Sequence, residues 1–134
     1  MINRPAWLEL DDYVGDLGAL TPFNFDSLPF RPRNSFVVKD VPVGAVRGKH
    51  AHRTCDQVLF VLAGAVMAST TDGIESDQFH LSSPNRGLFV PKMFWGQQKY
   101  LTSDAVLLVF SSEPYSRDGY IESFTQFIDL KKCG

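Results

Sequence analysis

Residues 44–64 read GAVRGKHAHRTCDQVLFVLAG. His50 and His52 stand two positions apart, a spacing that puts both imidazoles on one face of a β-strand. Arg47 and Lys49 lie just before the pair, with Gly48 between them free to adopt dihedrals that other residues avoid. Gln57 opens a run that is apolar from Val58 through Leu62. Gly64 separates that run from Val66-Met67 and marks a sharp reversal of the chain.

The same texture extends outward in both directions. Eleven Phe, four Tyr and two Trp make the chain 13% aromatic, a bias that favours strands. Ten Gly and eight Pro cut it into short pieces. Strands are predicted at Ala6–Leu10, Gly18–Phe25, Asn34–Asp40, Gln57–Leu62, Gly64–Thr71, Ser76–Leu81, Gly87–Val90, Ala105–Ser111 and Ser123–Asp129. Asp72-Gly73 between two of them reads as a tight hairpin, since both positions tolerate positive φ. Helical periodicity competes with a strand only over Ser116–Phe127. A single all-β domain over residues 1–134, built as a sandwich, barrel or jelly roll, follows from this pattern.

Composition narrows the function. Thirteen Lys and Arg against fifteen Asp and Glu give a net charge of −2, with no basic excess to hold a nucleic-acid backbone or an anionic membrane. No apolar run reaches the roughly 18 residues of a membrane span. The first residues carry no apolar leader core before Glu9, Asp11 and Asp12. Two cysteines, Cys55 and Cys133, are too few for a disulfide framework. A cytoplasmic protein is expected, with no nucleic-acid or membrane partner.

Two facing imidazoles suit proton transfer near neutral pH or metal binding. Two of them with no third strong ligand rarely hold a divalent ion against water, and Gln57 is a poor substitute for a carboxylate. No metal and no other cofactor is expected. As a proton-transfer pair, one histidine removes a proton beside a carbonyl. The second, roughly 6–7 Å along the strand, returns it to a neighbouring carbon or holds the enediolate oxygen. Arg47, with its planar fork, suits a phosphate or pyrophosphate.

Gly44, His50, His52, Gln57 and Gly64 resemble the first motif of the cupin superfamily, G-x5-H-x-H-x3,4-E-x6-G, with Gln57 at the Glu position. Pro91-Lys92-Met93-Phe94-Trp95-Gly96 resembles the second, P-x-G-x2-H, with Met93 and Gly96 at the Gly and His positions. Within that superfamily, Arg47-Gly48-Lys49-His50-Ala51-His52-Arg53 followed by Gln57-Val58-Leu59 resembles the sugar 3,4-ketoisomerases of the FdtA, QdtA and WxcM-like group. The similarity runs from about Arg33 to Phe127, through Val90-Pro91, Trp95, Ser103-Asp104 and Tyr120-Ile121. It implies an RmlC-like cupin jelly roll, a homodimer that exchanges N-terminal strands, and a metal-free enzyme acting on a nucleotide-linked keto-sugar carried by dTDP. The implied reaction moves the ketone of a 4-keto-6-deoxyhexose from C4 to C3 through an enediol. By the same resemblance His50 is the base at C3, His52 its partner in proton transfer, Arg47 a pyrophosphate contact and Gln57 a hydrogen-bonding group of the pocket.

Three positions depart from the family pattern. Phe36 stands where a Tyr is usual, Gly96 where a His is usual, and Asp16-Leu17-Gly18-Ala19-Leu20 lacks the Arg of D-x-R-G-x-L. Those losses raise an alternative, a cupin that binds a nucleotide sugar without isomerising it. Other residues carry two readings each. Trp95 reads as a stacking surface for sugar or base, or as packing behind Pro91. Arg33, split from Arg31 by Pro32, reads as a phosphate-binding loop or a solvated turn. Phe23, Phe25, Phe30, Phe36 and Phe60 read chiefly as core or dimer surface, with Phe36 also a substrate contact. Tyr115 and Tyr120 read as core or interface before pocket mouth, Cys55 as an inert buried thiol, and His80 as a surface residue.

Overall fold

The computed structural model describes residues 3–133. Twelve strands and one helix follow along these residues: β1 Ala6–Glu9, β2 Tyr13–Gly15, β3 Gly18–Leu20, β4 Asn34–Val38, β5 Val46–His52, β6 Gln57–Ala63, β7 Val66–Thr71, β8 Ser76–Leu81, β9 Arg86–Val90, β10 Trp95–Tyr100, β11 Val106–Ser111, β12 Tyr120–Ile121 and α1 Phe124–Cys133. Two five-stranded sheets, ordered β1-β9-β6-β11-β4 and β12-β5-β10-β7-β8, pair antiparallel throughout. This is the expected jelly roll. β2 and β3 form a separate two-stranded ribbon.

Gly64 reverses the chain between the two sheets. Its φ of +69° lies in the region glycine favours, and a Cβ there would run into Thr102 and sit 2.7 Å from Asp104 Oδ1. The chain then passes from β6 in one sheet to β7 in the other.

Between the sheets, inward side chains of β6 to β11 build a core that includes Leu59, Val61, Val66, Leu81, Leu88, Tyr100, Leu107 and Val109. The first sheet is apolar on its outer face as well. Val58, Phe60, Phe89 and Phe110 are covered there by Leu28, Phe23 and Phe30 from the segment that follows β3. Burial on both faces explains why Val58–Val61 and Leu107–Phe110 are continuous apolar runs rather than alternating ones.

The structure revises several sequence expectations. Ser123–Asp129 is not a strand: Phe124 begins a helix that ends at Cys133. Ser123 Oγ accepts the Gln126 amide at 3.2 Å, and Phe127 sinks completely into a cluster with Ala51 and Ile121. Gly18–Phe25 is not one strand, since β3 stops at Leu20 and a short 3-10 turn covers Phe25–Ser27. The hairpin at Asp72-Gly73 exists with a four-residue loop. Asp72 Oδ1 accepts the amides of Ile74 and Glu75, both at 2.8 Å, before β8 begins at Ser76. β5 and β10 are strands that the hydrophobic pattern did not reveal, because their sequences, VRGKHAH and WGQQKY, carry polar residues and glycine on the inward face.

Candidate active site

His50 and His52 project from β5 on the same side and face each other. Their Nε2 atoms are 3.2 Å apart and their ring centroids 4.8 Å apart. This is closer than the backbone rise alone implies, because the rings tilt toward one another. Three strands fix them. β10 pairs with β5 so that Gly96 lies opposite His50. β12 pairs on the other edge so that Tyr120 lies opposite His52. The Met93 amide donates to the His52 carbonyl at 2.8 Å, tying in the loop between β9 and β10.

Arg47 is three residues from His50, so a regular strand would send them to opposite faces. The β5–β10 register pairs Gly48 with Gln97 and His50 with Gly96, which leaves Lys49 as an extra residue. Gly48 and Lys49 have φ values of +92° and +56°. This bulge resets the alternation, and Arg47 and His50 come to line the same cavity.

That cavity has two lobes. An outer lobe of about 650 Å³ is bordered by His52, Arg33, Thr54, Ser111, Glu113 and Tyr115. An inner lobe of about 280 Å³ reaches between the sheets and is bordered by His50, Arg47, Gln98 and Tyr100. Phe36, Gln57 and Tyr120 line both, so they form the neck. Each lobe therefore receives one histidine. At the rim, Thr54 Oγ1 donates to Glu113 Oε2 at 2.7 Å. Gln57 Nε2 donates to Ser111 Oγ at 3.2 Å, and the same side chain hydrogen-bonds His52.

Burial sets the electrostatics. Desolvation pushes the His52 pKa down to about 4, helped by repulsion from His50 and only partly opposed by Gln57. Desolvation also lowers His50, against a hydrogen bond that the ring donates to the Gly48 backbone and the charge of Glu122. Both rings are neutral at pH 7 and able to accept a proton. Tyr120 lies with its ring 4.8 Å from His50 and 4.6 Å from His52, and burial raises its pKa, so its hydroxyl stays protonated.

The sequence-predicted residues are not all brought together. His50, His52, Arg47, Gln57, Arg33 and Phe36 surround the cavity. Trp95 does not: it begins β10 on the opposite face from Gly96, and its ring packs on Phe124 and Phe127 of α1 at 5.2 and 5.9 Å. The packing reading of Trp95 is the one the fold realises. Tyr120, read first as core or interface, lines both lobes and packs on the two imidazoles. Its signal in sequence was weak, because a two-residue strand has no periodicity to read. Among the described residues, no three His, Cys, Asp or Glu side chains cluster as a metal would require; the pair stands with Gln57 and Gly96. This donor set does not fit a metal centre.

Residues 4–132 match the family model described as FdtA: WxcM-like, C-terminal. The chain belongs to this family. Over 114 residues, 81% of this chain and 82% of the relative, it is 31% identical to the TDP-4-oxo-6-deoxy-alpha-D-glucose-3,4-oxoisomerase of Aneurinibacillus thermoaerophilus. The sugar 3,4-ketoisomerase QdtA of Thermoanaerobacterium thermosaccharolyticum, solved in complex with TDP, superposes with a TM-score of 0.94 at 29% identity, covering 99% of this chain and 98% of that one. A histidine-to-asparagine variant of QdtA has been solved with TDP-4-keto-6-deoxyglucose, with the same TM-score at 28% identity. The RmlC epimerase of Mycobacterium tuberculosis shares the fold alone, at 14% identity and a TM-score of 0.76 over 89% of this chain and 68% of that one. Ring placement in this WxcM-like chain thus sits on an RmlC-like cupin scaffold.

Proposed function

We propose that this chain is a sugar-nucleotide 3,4-ketoisomerase acting on a TDP-linked 4-keto-6-deoxyhexose, with no metal and no organic cofactor. One observation carries the reading: two neutral, mutually hydrogen-bonded imidazoles stand at the neck of a two-lobed cavity, one facing each lobe. A hexose seated at that neck presents adjacent carbons to adjacent bases. His50 removes the C3 proton while the C4 carbonyl oxygen takes up a proton, giving the enediol. His52 supports return of a proton to C4, and the C3 hydroxyl loses its proton to become the new carbonyl. Hydrogen is conserved and the ketone has moved by one carbon. The Tyr120 hydroxyl, kept protonated by burial, is a donor for the developing enediolate oxygen. Arg47 and Arg33, one on each lobe, are the cations available to the pyrophosphate, and Phe36 is an apolar wall for the ligand.

The whole unit, residues 1–134, acts as one domain, in the cytoplasm and as a homodimer. Support for the dimer comes from the β2–β3 ribbon: Tyr13, Val14, Leu17 and Leu20 are all largely exposed, and a two-stranded ribbon is not stable alone in water. β1 is paired to β9 of its own chain, so the ribbon is the N-terminal element free to be exchanged with a second copy. Support for the compartment comes from the two free cysteines; no helix among the described residues is long and apolar enough to cross a membrane.

The test is incubation of the purified protein with TDP-4-keto-6-deoxyglucose in heavy water, followed by NMR. The expected product is the 3-keto isomer carrying deuterium at C4. Binding of the substrate with no deuterium incorporation identifies instead a cupin that holds the nucleotide sugar without isomerising it.

A further inference from the structure

We infer that Tyr100 is a substrate-positioning residue whose hydroxyl donates a hydrogen bond to an oxygen of the bound hexose at the floor of the inner lobe. The inference rests on the ketoisomerase reading above. Tyr100 ends β10 and its side chain is completely buried. Its hydroxyl oxygen is the one buried side-chain polar atom of the described residues that has no hydrogen-bond partner. Native cores rarely leave a hydroxyl in that condition, and an orphan beside a cavity points to a ligand atom as the missing partner.

The surroundings define the chemistry of that partner. Tyr100 lines the inner lobe together with the apolar Leu59, Leu107 and Val109 and the polar Gln98, Arg47 and His50. Desolvation raises the Tyr100 pKa against the pull of Arg47, so the group stays protonated and acts as a donor. An apolar floor with a neutral hydroxyl and a neutral amide suits a hydroxyl or keto oxygen of a sugar. A phosphate would need its charge met there, and Arg47, the one cation among the residues lining the lobe, is itself exposed. The position is not a feature of either cupin motif, and nothing in the hydrophobic pattern separates it from an ordinary core tyrosine.

Tyr100→Phe removes only the oxygen. Two ligands separate the possible contacts: TDP-glucose, which carries the hexose but no keto group and is not isomerised, and TDP alone. Calorimetric titration of wild type and variant with both, together with thermal melts, reads the result. The expected outcome is about a tenfold loss of TDP-glucose affinity, unchanged TDP affinity and a melting temperature that is equal or higher. Unchanged affinity for both ligands overturns the inference. An equal loss for both moves the contact to the phosphates and overturns the hexose assignment. A lowered melting temperature with unchanged TDP-glucose affinity makes Tyr100 a core residue only, and also overturns it. Failure of the wild-type protein to bind either ligand removes the functional reading itself, a result plainly different from a defect confined to the variant.

Discussion

The two ends of the space between the sheets are built by the same strands and hold opposite contents. Down β6 the inward positions run Gln57, Leu59, Val61; down β11 they run Ser111, Val109, Leu107. At one end leucine and valine meet and close the sandwich. At the other, Gln57 and Ser111 meet His52 and Tyr120, and the space stays open. A jelly roll needs only one end filled to be stable, which frees the inward positions of the other for polar chemistry. The open end is also where burial is incomplete enough to admit a ligand, yet deep enough to keep the imidazoles uncharged.

That contrast predicts which substitutions cost activity and which cost stability. The largest effect is expected at the open end. His50→Asn should lower kcat/KM by roughly 10²- to 10⁴-fold while leaving the melting temperature within a few degrees of wild type, as steady-state kinetics and calorimetry would show. Turnover near the wild-type rate would take His50 out of the mechanism. At the closed end the pattern should invert. Leu81→Ala, at a core residue that lines neither lobe, should cost about 2–5 kcal/mol of unfolding free energy in urea, with kcat/KM of the surviving folded protein little changed.

Next in size is the pH dependence of stability. At pH 7 both histidines are mostly neutral, folded or unfolded. Below the ordinary value of 6.5 the unfolded chain takes up protons that the buried rings refuse, so stability falls as pH drops from about 6.5 toward 4. His52 alone contributes a loss of about 3 kcal/mol at the bottom of that window. The double variant His50→Asn, His52→Asn should flatten the decline, and an equal decline in the double variant would place its origin elsewhere. The acid limb of the activity profile should likewise lie below 6.5. The smallest effect belongs to Gly96. It borders a void of about 20 Å³ beside the histidine pair, and a Cβ there would meet only the Ser69 carbonyl, at 3.8 Å. Gly96→Ala should therefore stabilise the fold by about 0.5–1 kcal/mol, measured by chemical unfolding. A loss of stability would show that the register opposite His50 depends on the glycine.

How much was legible in the sequence differs from strand to strand for a physical reason. β6 and β11 announce themselves because apolar residues fill both faces. β5 and β10 were silent as strands, since a ligand-facing wall removes the hydrophobic signal by which strands are recognised. Of that wall, His50, His52 and Arg47 were nevertheless singled out by motif spacing rather than hydropathy, while Gln98 of β10 carried no such signal. Two placements lay beyond spacing altogether. Trp95 and Gly96 are neighbours in sequence, but β10 turns one toward α1 and the other toward His50. Tyr120 reaches the imidazoles only because a two-residue strand adds itself to the edge of β5.

From its residues alone this chain is committed to short aromatic-rich strands, to a histidine pair on one face, and to a net charge of −2 with no basic excess. Those properties depend on local chemistry and on period-two alternation, which a linear string carries in full. Whether Arg47 shares a cavity with His50 was decided by a bulge at Lys49, and bulges exist only in the register between two strands. The depressed basicity of the two rings came likewise from the second sheet closing over them, because desolvation is a property of what packs around a group and not of the group itself.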